Sequence, residues 1–139
     1  MEAKEILGLD LGDKRTGIAR ASSIAKLAEP LKSVAAEEAC SVLKRYIAEH
    51  DVQAIAIGLP RSLSGADTAQ TASARQWVKD AQQKIDVPFY WQDEALTSRE
   101  ARAKSSELRT KSSIDEHALA AAIILQDFLD SAEAQRTPA

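Results

Sequence analysis

Between Glu5 and Ala19 the chain reads E-I-L-G-L-D-L-G-D-K-R-T-G-I-A, and no other stretch restricts the fold as much. Ile6, Leu7, Leu9 and Leu11 make a nearly unbroken apolar run, the pattern of a strand covered on both faces. Asp10 interrupts it with a charge. An ionised carboxylate in such a strand is costly unless it is paired, hydrogen-bonded or bound to a cation. Either Asp10 caps the turn that follows through Gly12 and Asp13, or it is a metal ligand at the margin of the core. Gly12 and Gly17 bracket Asp13-Lys14-Arg15-Thr16 as a tight connection into a second strand over 16–21. Lys14 and Arg15 at its tip can meet an anion. The glycines have Walker-like G-x-x-x-x-G spacing, but Ile18-Ala19 stand where that motif needs Lys-Ser, which excludes a P-loop.

The rest of the chain supplies what such a strand needs on either side. Residues 26–34 read as a third strand interrupted by Pro30, which places it at a sheet edge. A helix over 35–50 carries an apolar stripe of Val42, Leu43, Tyr46 and Ile47. The run V-Q-A-I-A-I-G-L over 52–59 is a second strongly apolar strand, suited to lie parallel to the first. A helix over 68–84 and a strand over 87–91 follow, with Asp93-Glu94 just past the strand's end. Thr97-Ser98-Arg99-Glu100 matches a capping box, residues 105–113 read as a mobile loop, and Ser113-Ile114-Asp115-Glu116 is a second capping box. That box opens a helix so apolar from Ala118 to Leu125 that it must lie deep against the sheet. The order predicts an α/β fold, a mixed five-stranded sheet of order 3-2-1-4-5 flanked by helices, with right-handed crossovers. One domain over residues 1–133 and a frayed tail over 134–139 are expected. No apolar run approaches the roughly 20 residues that span a bilayer, and the start lacks a signal peptide's pattern, so a cytoplasmic protein with no membrane partner is expected. A single Cys40 among 139 residues excludes an intramolecular disulfide and a multi-cysteine zinc site.

Asp10, Asp93-Glu94 and Asp115-Glu116 all fall at ends of core elements. Ligands of open α/β sheets collect beyond the carboxyl ends of the parallel strands. Carboxylates from distant parts of a chain, converging without cysteines, suit Mg²⁺ or Mn²⁺. Two such ions about 4 Å apart can activate water and stabilise the leaving oxygen of a phosphodiester. Each acid also has a structural explanation. Asp93 can bond its own turn, Glu116 can serve the capping box, and Asp115 meets the positive end of the helix dipole. The net charge of −3 argues against a surface that coats nucleic acid broadly. Locally, Arg99, Arg102, Lys104, Arg109 and Lys111 stand against Glu100 and Glu107, five minus two giving +3 over 99–111.

Four ordered blocks, D-L-G-D-K-R-T-G-I-A, I-G-L-P-R-S-L-S-G, Q-D-E-A-L-T-S-R-E-A-R and I-D-E-H-A-L-A-A-A-I-I-L-Q-D-F-L, resemble the YqgF/RuvX family. That family is described both as Holliday junction resolvases and as the nuclease maturing the 5′ end of 16S ribosomal RNA precursors. The resemblance implies a ribonuclease H-like fold, a divalent metal, a hydrolase acting on phosphodiesters, and a bacterial cytoplasm. It implies precursor rRNA or ribosomal particles as partner, the protein being a monomer or homodimer. Asp10 matches the family's first-strand acid. Glu94 matches the acid of its D-E-R-L-T block, where Ala95 replaces the arginine. The third acid lies nine residues before the glutamine of the I-L-Q run, a position held here by His117, with Asp115 two residues earlier. Asp115 is favoured on charge, since two ions need more than two carboxylates, and His117 is the alternative as ligand or general base. Lys14, Arg15, Arg61, Arg99, Arg102, Lys104, Arg109 and Lys111 are the expected nucleic-acid contacts. The competing expectations are a Holliday-junction DNA resolvase and a non-catalytic nucleic-acid- or ribosome-binding module. A third follows from the first hairpin, which looks like the phosphate-binding hairpin of actin, sugar-kinase and Hsp70-type ATPases and would need a dimer to form a nucleotide cleft.

Overall fold

The structure, a computed structural model, describes residues 4–12, 14–59, 69–93, 115–131 and 137–139. Three consecutive strands, β1 (Glu5–Leu11), β2 (Arg15–Ser22) and β3 (Glu29–Ala35), form an antiparallel meander. A turn of 3₁₀ helix, Ala36–Glu38, leads into α1 (Ala39–Glu49), and β4 (Val52–Leu59) returns parallel to β1. Helix α2 (Ala69–Gln82) precedes β5 (Phe89–Asp93), which is parallel to β4. Helix α3 (Glu116–Asp130) and the short β6 (Thr137–Pro138) complete the described elements.

The order across the sheet is β3-β2-β1-β4-β5-β6. The expected order is therefore present, with Pro30 on the edge strand β3 beside a register shift between Ile18 and Ala19, and with one strand more than expected. Two expectations are corrected. Asp93 is the last residue of β5 rather than a residue beyond it. The end of the tail expected to fray is paired: Thr137 faces Trp91, Pro138 faces Tyr90, and the Ala139 amide donates to the Phe89 carbonyl at 2.9 Å. β5 would otherwise present an open edge of unpaired amides and carbonyls, and any short extended segment within reach relieves it. Two residues carry no apolar periodicity, so composition gives no warning of such a strand.

Alternation along β1 divides the core into two faces. Ile6 packs with Ala19, Ala21, Ala54 and Ala56 against Ala121, Ala122, Leu125 and Phe128 of α3. Leu7 and Leu9 pack with Ile18, Ile55 and Ile57 against Leu43 of α1 and Val78 and Ala81 of α2. The sheet thus presents small residues to α3 and large ones to α1 and α2. At the amino end of β1 the Glu5 carboxylate accepts hydrogen bonds from Arg20 Nε, at 2.7 Å, and from the Tyr46 hydroxyl, and lies 3.0 Å from His50 Nδ1. Burial alone would raise this carboxyl, but the Tyr46 and Arg20 bonds and the charges of Arg20 and His50 outweigh it and hold it below the usual carboxylate range. Burial and the hydrogen bond to Glu5 push the Tyr46 phenol up to about 12.

A phenol whose pKa is higher folded than unfolded contributes stability that is complete below pH 10.0 and is lost as pH rises through about 12. Tyr46→Phe is expected to lower stability at pH 7 by about 1.5–3 kcal/mol, the value of a hydrogen bond to a charged group. It should also remove the alkaline decline that the parent shows across that window. Urea titrations at pH 7, 10 and 12 on both proteins measure this; a decline unchanged by the substitution would count against the Tyr46–Glu5 bond as its source.

Candidate active site

The seat of α3 on the sheet is set by two glycines. A Cβ on Gly17 would stand 1.9 Å from the carbonyl oxygen of His117 and 2.9 Å from the amide nitrogen of Ala118. One on Gly8 would stand 2.6 Å from Leu125 Cβ and 2.8 Å from the Ala121 carbonyl oxygen. The helix therefore lies directly on the backbone of β1 and β2, and its first turn rests on Gly17. Gly17 is the register partner of Asp10, and opposed residues of an antiparallel pair have Cα atoms roughly 4.5–5.5 Å apart. Asp10 shares the α3 face with Ile6 and Gly8 by strand alternation, so its half-buried carboxylate is beside the start of the helix. The His117 ring leans the same way: Cε1 is 3.8 Å from where a Cβ on Gly12 would be.

Asp115 is the N-cap of α3, one position outside the helix, and not the second helical residue that the capping-box reading implied. Its Oδ1 accepts from the amides of His117, at 2.9 Å, and Ala118, at 3.2 Å. Its Oδ2 accepts from the Ser33 hydroxyl on β3. Arg15 binds the same serine, Nε donating to Oγ and a terminal nitrogen to the carbonyl oxygen, both at 2.9 Å. Partial burial pulls the Asp115 carboxyl upward, but the Ser33 bond, the two amides and the charge of His117 outweigh that and hold it below its ordinary value. Its carboxylate is thus engaged through both oxygens, Oδ1 by the cap and Oδ2 by Ser33, while His117 is the side chain turned toward the Asp10 end of β1.

Of the other residues singled out in the sequence, Lys14 is exposed beside this end of the sheet, and the Arg15 guanidinium is engaged by Ser33. Glu94, Arg61, Arg99, Arg102, Lys104, Arg109 and Lys111 lie outside the described residues, as does the 105–113 stretch. Among the described residues no three His, Cys, Asp or Glu side chains converge closely enough to hold a metal ion. Two contributors gave no sequence signal of their role. Ser33 is an ordinary polar residue on an edge strand. Gln126, at the far end of α3, accepts from the Ala28 amide at 2.9 Å and donates to the Lys26 carbonyl at 3.2 Å. It thereby clamps the β2–β3 connection, where Lys26 takes a left-handed φ of 55°.

A meander of three antiparallel strands, with two parallel strands added through helical crossovers and a helix seated closely on the first two, is the architecture of the ribonuclease H-like fold. Over residues 4–131 the chain matches the RuvX family, described as Holliday junction resolvase. The chain belongs to that family, a class of hydrolytic nucleases. It is 36% identical over 138 residues to a Roseiflexus protein and 35% identical over 146 residues to one from Chloroflexus aggregans, both named "Putative pre-16S rRNA nuclease". Those alignments cover 94% and 99% of this chain and 96% and 99% of the relatives. In fold it is similar to RuvC of Thermus thermophilus, solved in complex with a Holliday junction substrate. The TM-score is 0.60 at 17% identity, covering 98% of this chain and 99% of that one. No helix among the described residues is long and apolar enough to cross a membrane.

Asp115→Ala is expected to cost about 0.5–2 kcal/mol at pH 7 through the lost cap. Because the carboxyl is lowered in the folded state, its charge-dependent stabilisation is present above its ordinary range and is lost as pH falls through the lowered value. The difference between parent and variant should therefore shrink in acid. Ser33→Ala should move the Asp115 carboxyl titration, followed by NMR, to higher pH; a titration left in place would show that the Ser33 hydroxyl contributes nothing.

Proposed function

We propose that this protein hydrolyses phosphodiester bonds of structured nucleic acid in the cytoplasm, with the precursor of 16S ribosomal RNA as substrate. Its site is built on Asp10, Glu94 and His117. The observation that carries this reading is the contact of the first turn of α3 with Gly17, directly across from Asp10. It sets a carboxylate and an imidazole from opposite ends of the chain at one corner of the sheet. The donor chemistry fits a divalent cation: Asp10 and Glu94 are hard oxygen donors, and His117 is a borderline nitrogen donor that tilts the preference from Mg²⁺ toward Mn²⁺. Such an ion, when bound, supplies an activated water and charge stabilisation at the leaving oxygen.

The chain's own residues then have separate tasks. Asp10 and Glu94 supply the oxygen donors that would hold the cation. Asp115 holds the start of α3 through its cap and so fixes the His117 backbone, acting as a positioning residue. Lys14 and the basic residues of 99–111 meet the phosphate backbone. Resolution of a DNA four-way junction is the second reading. It is favoured by the description of the family and by the fold shared with RuvC, and cutting assays on a precursor RNA and on a DNA junction separate the two.

Asp10→Asn should retain the fold and lose at least 100-fold in cutting rate, as expected when charge stabilisation at the reacting centre is removed. His117→Ala should be similarly slow, whereas Asp115→Asn, which keeps an acceptor at the N-cap, should retain most activity. An inactive Asp115→Asn beside an active His117→Ala would reverse the roles given to these two residues. Neutralising Lys14, Arg109 and Lys111 together should flatten the slope of log affinity against log salt by about two to three units. An unchanged slope would move the nucleic-acid path elsewhere.

A further inference from the structure

On the opposite face of the same sheet end, directly behind Asp10, is a half-open cavity of about 110 Å³ lined by Leu11, Gly12, Thr16, Ser73, Ala74 and Trp77, among others. Leu11 and Gly12 immediately follow Asp10 in sequence, so the cavity and the proposed reaction centre share the end of β1. Thr16 is 1% exposed, and its hydroxyl has no hydrogen-bond partner among the described residues. A buried hydroxyl left without a partner costs about 1–3 kcal/mol, so its persistence in the wall of a cavity calls for an occupant that can bond to it.

Size and lining narrow the occupant. Sites for whole small molecules occupy about 300–1,000 Å³. A cavity of about 150 Å³ accepts a single benzene ring, so this one is on the scale of one six-membered ring. Its walls are apolar along Leu11 and Ala74, with the partly exposed indole of Trp77 at one side. The Thr16 hydroxyl can donate and accept, and Ser73 lies on the exposed face of α2. An aromatic wall with a few polar groups is how unpaired bases are recognised in single-stranded and bulged regions. We infer that this cavity receives one unpaired pyrimidine base of the substrate, hydrogen-bonded to Thr16 and lying against Trp77. The inference rests on the nuclease reading above and deepens it. The preferred substrate then carries an unpaired single-ring base next to the strand presented to Asp10. The energy of holding that base offsets the few kcal/mol needed to unstack it.

The test uses three hairpin RNAs that are identical except for a bulged uridine, a bulged guanosine or no bulge. Binding to the full chain is followed by fluorescence anisotropy, with EDTA present so that no strand is cut. The parent should bind the uridine bulge more tightly than the other two. Thr16→Val replaces the hydroxyl by a methyl of the same shape. It should leave the melting temperature unchanged or higher and weaken the uridine-bulge complex about 2- to 10-fold, leaving the paired hairpin unaffected. Ser73→Phe, an exposed position on the lining, should block entry and erase the preference for uridine without disturbing the core. Equal binding of the three RNAs by the parent, or variants that keep the uridine preference, would overturn the inference while the nuclease reading stands. A lower melting temperature for Thr16→Val would show that the hydroxyl has a structural partner and would also overturn it. A parent that binds none of the RNAs but cuts a DNA junction would remove both the RNA reading and the inference built on it.

Discussion

The close seat of α3 on a face of glycine and alanine is the contact on which the rest of the molecule depends. Gly8 and Gly17 let the helix backbone approach the sheet backbone to a distance that a single methyl would prevent. Ala19, Ala21, Ala54 and Ala56 extend that shallow face, and Leu125 and Phe128 fill it from the helix side. The other face carries the bulk, with Leu7, Leu9, Ile55 and Ile57 under α1 and α2. This asymmetry fixes which helix lies close. Protein interiors are packed near crystal density, so a helix that loses its seat on Gly17 cannot drift by an ångström without opening voids along its whole length. The position of His117 relative to Asp10 is therefore a consequence of core packing.

The two ends of β1 show the same kinds of residue in different service. At the amino end Glu5 is surrounded by Arg20, Tyr46 and His50, and its charge is spent on tying β1, β2 and α1 together. At the carboxyl end Asp10 stands beside a helix start whose positive dipole is already answered by Asp115. Asp115 in turn is held by Ser33, which Arg15 holds. A chain of polar contacts thus runs from the edge strand β3 through the helix cap to the site, and it stiffens a corner that packing alone would leave to the first turn of a helix.

Membership of the RuvX family places the chain among hydrolytic nucleases. In the proposed site, His117 turns toward the Asp10 end of β1 while the nearby Asp115 caps the helix. An imidazole in place of a carboxylate there would carry one negative charge less and offer a nitrogen donor, which would change both the repulsion that a bound cation relieves and the choice of cation. The cavity behind Asp10 is a second place where substrate preference can be set without altering the acids.

The strand sequence, the edge position signalled by Pro30, the parallel pairing of two strongly apolar strands and the deep final helix were all legible in the sequence. Each follows from local periodicity or from the geometry of a single residue, properties that do not depend on the rest of the fold. So was the anomaly of Asp10, because a charge inside an apolar run is costly wherever the run ends up. What the sequence left open were matters of contact between distant segments. A two-residue shift of the helix start turned Asp115 from a helical position into a cap, and propensity alone does not distinguish neighbouring start points. The partnership of Ser33 with Asp115 joins residues 82 apart, and the pairing of Thr137 with Trp91 fills a sheet edge that exists only after folding. The apolar period of β1 and the charge of Asp10 were fixed by the chain itself. Which residue faces Asp10 was decided only when α3 came to rest on Gly17, because that choice depends on a backbone-to-backbone distance that no local pattern encodes.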